Sequence, residues 1–104
     1  MIISTFQTTE EASKTVKQML DERLIACANI IPGVKSLFWW KDKIIEEQEV
    51  IVFIKTRKEL EKKVMQKLES IHPYDVPAIY AIDSTKEINS SYLQWILDET
   101  QEKF

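Results

Sequence analysis

The chain has 104 residues, 44% of them hydrophobic and 30% charged, and a formal net charge of −3. This describes a single domain, residues 1–104, with enough apolar side chains for a modest core. The acidic balance, with lysines alternating with glutamates along the helical stretches, excludes a basic nucleic-acid face.

Gly33 is the only glycine, which excludes GxGxxG and GxxxxGK[ST] phosphate loops, because both need several glycines where backbone approaches phosphate. Cys27 is the only cysteine, so no internal disulfide forms and a reducing compartment fits best. The opening MIISTFQTT lacks the pattern of a signal peptide, and no apolar run approaches the ~20 residues of a bilayer span. The expectation is a cytoplasmic protein with no membrane or nucleic-acid partner.

Residues 2–7, IISTFQ, are predicted as a first strand. Thr8-Thr9-Glu10-Glu11 then offers a capping box, in which the Thr8 hydroxyl and the Glu11 carboxylate satisfy opposing amides. Behind it Ala12, Val16, Met19, Leu20 and Leu24 recur at helical spacing, so a helix runs to about Arg23 or Leu24. Residues 25–31, IACANII, end at Pro32-Gly33, a turn signal. VKSLFWW and IIEEQEVIVFIK flank Lys41-Asp42 and predict a long hairpin with its tip there.

Thr56 to Glu59 repeats the capping-box pattern ahead of Leu60, Val64, Leu68 and Ile71, the stripe of a second helix. Pro73 disfavours helical geometry at His72, so that helix stops at about Ile71. Residues 76–83 read as a strand with Pro77 near its start, and Asn89 or Ser90 caps a last helix that buries Leu93, Ile96 and Leu97.

The order β-α-β-β-α-β plus a C-terminal helix is that of a ferredoxin-like α+β sandwich, in which both main helices cover one sheet face. Yet VIVFI, residues 50–54, is apolar at every position, and Phe38-Trp39-Trp40 puts large rings on both sides of its strand. A second apolar face of that extent marks an interface, so a closed oligomer is expected.

Five segments carry a resemblance: ACANIIPG (26–33), LFWWKDKI (37–44), EVIVFIKT (49–56), HPYDVP (72–77) and YLQWI (92–96). In order and spacing they resemble the CutA divalent-cation tolerance family, with HPYDVP the most specific. Asp42 departs from the glycine usual at that hairpin tip, which affects the turn type. The resemblance implies a ferredoxin-like subunit in a tight homotrimer, similar in architecture to PII-type signalling proteins, and a role in tolerance of divalent metals such as copper.

For catalysis, Cys27 and His72 are the only candidate nucleophile–base pair, and Cys27 lies between two alanines with no adjacent cation to activate it. Glu46 and Glu47 point to opposite faces of a strand. A non-enzymatic protein with no tightly bound cofactor is therefore expected. For metal, a closed zinc site needs four ligands in a spacing this chain lacks, but His72 and Cys27 are donors that copper accepts.

Against this, His72 reads first as a helix terminator whose ring meets orphan carbonyls. If His72 serves both as cap and as copper ligand, His72→Gln leaves folding nearly unchanged and lowers copper affinity, whereas equal copper binding leaves it a helix terminator only. Cys27 is expected to be buried and unreactive. A third class is a cleft between subunits built from Trp40, Glu49, Lys55, Tyr74, Tyr92 and Trp95, suited to a small anionic or aromatic ligand, with ordinary interface packing as the competing explanation.

Overall fold

The computed structural model describes residues 1–83 and 87–100. Strand β1 (Ile2–Phe6) leads into helix α1 (Thr9–Asp21), and β2 (Cys27–Trp40) turns back into β3 (Lys43–Lys55). Helix α2 (Glu61–Ile71), strand β4 (Ile79–Ala81) and helix α3 (Ser90–Glu99) follow. The strands form one antiparallel sheet in the order β2-β3-β1-β4. This is the ferredoxin-like sandwich that the element order predicts.

Register explains the core. Ile2 lies opposite Ile54, Ser4 opposite Val52 and Phe6 opposite Val50, so these side chains share one face. Val16 and Met19 of α1 and Val64 and Leu68 of α2 pack on that face in one buried cluster. The other face carries Ile3, Ile51 and Phe53, and there Ile51 and Phe53 stay half-buried. The run at residues 50–54 is therefore fully buried on its helix-covered side only.

Local details depart from the sequence reading in ways that physics accounts for. Helix α1 ends at Asp21, and Arg23, with φ of 59°, turns the chain out through a conformation usually left to glycine. At its start the Thr8 hydroxyl accepts from the Glu11 amide at 3.1 Å, while the Glu11 carboxylate meets the Thr8 hydroxyl rather than an amide.

Thr56 does not cap α2. Its buried hydroxyl donates to the Leu24 carbonyl at 2.6 Å, and a 3-10 turn, Lys58–Leu60, opens the helix instead. The strand expected over residues 76–83 shrinks to Ile79–Ala81. Asn89 caps α3 through its backbone position, and its side chain donates to the Ser91 hydroxyl at 3.0 Å instead of accepting from a helix amide. Ile96 is buried there, with Leu93 and Leu97 half-buried; residues 84–86 and 101–104 lie outside the described residues.

Pro32-Gly33 is a bulge and not a turn. Ile31 pairs with Ile51 and Val34 with Glu49, so two residues of β2 stand opposite Val50. Gly33 takes φ of 75°, which any side chain would strain. The bulge also shifts the alternation of β2. Before it, odd-numbered residues share a face with Ile51 and Phe53; after it, Ser36, Phe38 and Trp40 share that face with Glu47 and Glu49.

The hairpin then runs to Lys41 and Asp42, both with positive φ (50° and 65°), the pair of left-handed residues that a type I′ turn requires. Asp42 thus keeps the geometry that glycine would take more cheaply. The molecule is elongated by this arm, at 44 × 26 × 21 Å. On its outer side Trp39 is 71% and Ile44 64% exposed.

Candidate functional site

The segment HPYDVP joins α2 to β4, and its Tyr74, Asp75 and Val76 line the adjoining cleft. The backbone amide of His72 donates to the Leu68 carbonyl at 2.9 Å and closes α2. The ring does something other than cap the helix. Tyr74 donates its backbone N–H to His72 Nδ1 at 3.1 Å, so Nδ1 carries no proton. Nε2 therefore carries it and donates to the Thr5 carbonyl at 2.8 Å.

The geometry thus selects one neutral tautomer. The ring stacks on Phe6 at 4.3 Å and meets Tyr74 edge-on at 4.8 Å. Burial pushes the His72 pKa below 6.5, against the opposing pulls of the Thr5 carbonyl, Glu11 and Glu49.

Tyr74, held by that amide bond, passes its hydroxyl to Glu49, donating to Oε2 at 2.6 Å. Burial, and then the carboxylate that accepts from it, raise the Tyr74 pKa, so the phenol stays a donor at working pH. Glu49 is only 8% exposed. Around this pair lies a cleft of about 640 Å³, walled by Phe38, Trp40 and Tyr74 and containing Glu47 and Asp75 as its other charged groups. Thr5 and Ser36 add hydroxyls, and Ile45 and Val76 add apolar surface.

Three of the six cleft residues expected from sequence, Trp40, Glu49 and Tyr74, are therefore brought together. The other three lie elsewhere in the single chain. Lys55 lies six residues from Glu49 along β3, roughly 20 Å at ~3.3 Å per residue. It borders a second, smaller cleft of about 310 Å³ and donates to Asn29 Oδ1. Tyr92 and Trp95 stack on each other at 5.6 Å on α3.

The Tyr92 hydroxyl sits 3.2 Å from Cys27 Sγ. That contact, with burial second, pushes the Tyr92 pKa up to about 12. Cys27 is half-buried, not sealed in the core as expected.

Cys27 and His72 occupy separate neighbourhoods, the first against α3 and the second against β1. Among the described residues no group of three or more His, Cys, Asp or Glu is placed to hold a metal ion. Both ring nitrogens of His72 are engaged, so a metal ion there would have to break one of those bonds. Sequence reasoning missed Phe38, Glu47 and Asp75. The signal for Phe38 was the Pro-Gly bulge, which fixes the facing of β2 beyond it, and the signal for Glu47 was its alternation with Glu49 on β3.

The family model described as CutA1 divalent ion tolerance protein matches residues 1–99. The divalent-cation tolerance protein CutA of Pyrococcus horikoshii is 43% identical over 101 residues, covering 97% of each chain. A crystal structure of CutA1 from Ehrlichia chaffeensis superposes with a TM-score of 0.91 at 37% identity, covering 96% of this chain and 92% of that one. The structure of a periplasmic divalent cation tolerance protein CutA from Archaeoglobus fulgidus does so with a TM-score of 0.90 at 35% identity, covering 96% of each chain.

Proposed function

Because the chain belongs to the CutA1 divalent ion tolerance family, we propose that it acts in tolerance of divalent cations as a non-enzymatic homotrimer that binds a ligand in its cleft, in the manner of a PII-like sensor. The observation that carries this reading is the convergence of Trp40, Glu49 and Tyr74 on one cleft. Beside it the single chain leaves Phe38, Trp39, Trp40 and Ile44 open, a surface of the kind that a second and third copy cover.

Copper enters as an ion held by surface donors, because His72 is committed at both nitrogens and the Cys27 thiol lies against Tyr92. The single thiol fits the cytoplasm as the compartment. Native mass spectrometry of freshly purified protein tests the reading. The expected species has three times the 12.3 kDa subunit mass, with a retained small molecule. Copper titration is expected to be the same for the parent and His72→Gln. A stable monomer at micromolar concentration, or copper binding lost with His72, overturns it.

A further inference from the structure

The two groups into which the expected cleft residues divide stand at opposite ends of one sheet face. We propose that the site is shared between copies, with Lys55 of one copy paired to Glu49 of the next. This rests on the trimer reading above and names what its interface joins.

Alternation along β3 puts Glu47, Glu49, Ile51, Phe53 and Lys55 on the face away from the helices. Glu49 is over nine-tenths buried, and its hydrogen-bond partner is the neutral Tyr74 phenol at 2.6 Å. Lys55, half-buried, donates to the neutral Asn29 side chain. Among the described residues neither takes part in an ion pair. Roughly 20 Å of strand separates them, too far for two side chains of one chain to bridge.

Between the two charges the face is apolar. Ile31, Ile51 and Phe53 line it, with Tyr80 beside them, and Ile31 and Tyr80 are 41% and 50% exposed. Copies that cover this band draw both charges out of water, where an unpaired charge is costly and a well-placed opposite charge offsets much of that cost. Lys43, the other cation of β3 on this face, is exposed near the arm's tip, where water serves it.

The Lys55 end carries aromatic surface as well. Cys27 lies opposite Lys55, and its Sγ sits 3.2 Å from the Tyr92 hydroxyl, which places the Tyr92–Trp95 stack of α3 beside that end. Trp95 is still exposed there. In a ring, each copy offers its Trp40, Glu49 and Tyr74 to one neighbour and its Lys55, Tyr92 and Trp95 to the other, which closes with three copies. A contact between like ends would instead set Glu47, Glu49 and Asp75 against the same three carboxylates. Neither half is complete in one chain.

The test is a set of charge changes, read as the urea midpoint at which the trimer dissociates, followed by light scattering at one protein concentration. Glu49→Lys and Lys55→Glu each set like charges together and are expected to lower that midpoint. Combined in one chain they restore a pair of opposite charges, and the midpoint is expected to return most of the way to the parent's. Should either reversal fail to fold, Glu49→Gln, Lys55→Met and their combination give the same cycle with smaller changes. Each of these singles strands the opposite charge, so the combination is expected to cost less than the two added together.

Single reversals as stable as the parent, or a combination no better than the worse single, overturn the inference, as does additivity in the neutral cycle. A parent that is trimeric with any of these results loses the Glu49–Lys55 pairing alone. A parent that is monomeric at micromolar concentration removes the trimer reading itself, and the pairing with it.

Discussion

Replacing His72 with glutamine separates the role seen in the structure from a helix terminator's. As an exposed charged cap, the residue would contribute roughly 0.3–1 kcal/mol. Its actual setting is different: a ring 8% exposed, stacked on Phe6, edge-on to Tyr74 and bonded at both nitrogens. Each aromatic contact contributes about 0.5–1.5 kcal/mol and each hydrogen bond about 1 kcal/mol. Glutamine can reproduce some of the hydrogen bonding and none of the stacking, so the loss comes to roughly 2–3 kcal/mol.

The pH dependence gives a second readout. The folded-state pKa lies below 6.5 because burial disfavours the imidazolium. The unfolded chain therefore binds the proton more readily, and stability falls as pH drops from 6.5 towards the folded value. Above pH 6.5 this residue contributes no slope. Urea titrations of both proteins at one fixed concentration, at pH 7.5 and across the acid window, measure both effects. A loss under 1 kcal/mol at pH 7.5, or an acid slope identical in the two proteins, refutes the arrangement around His72.

Three further outcomes are expected. Ser4 places a hydroxyl in the core with no hydrogen-bond partner among the described residues, so Ser4→Ala should stabilise by about 1 kcal/mol in urea unfolding; destabilisation would mean that the hydroxyl is satisfied in solution. Gly33→Ala meets no atom within 4 Å but takes φ of 75°, so a loss of about 1 kcal/mol should appear in the same assay. Cys27 should react with a thiol reagent at a rate between core and surface, and Tyr92→Phe should speed it several-fold by removing the hydroxyl 3.2 Å away.

The fold was legible because helical and strand periods are written locally. Val64 and Leu68, or Val16 and Met19, read as core from spacing alone and are core. What was not legible depends on partners distant in the chain. Thr56 looks like a cap from its neighbours, yet the Leu24 carbonyl claims its hydroxyl. Pro32-Gly33 has the composition of a turn, and only pairing with β3 makes it a bulge.

The site divided for the same reason. Glu49 and Tyr74 lie 25 positions apart and meet because the HPYDVP junction returns along β1. Lys55 shares a strand with Glu49, and strand rise alone carries it out of reach. Alternation assigns faces only while the register is unbroken, and the bulge decides that Phe38 and Trp40, rather than Leu37 and Trp39, face Glu47 and Glu49.

Growth under copper challenge tests the central claim most directly, in cells lacking their own copy and supplied with the parent, Glu49→Gln or Cys27→Ser at equal protein level. If tolerance runs through the cleft, Glu49→Gln fails to restore growth while Cys27→Ser restores it as the parent does. Full rescue by Glu49→Gln with failure of Cys27→Ser would contradict the account and place the function at the thiol.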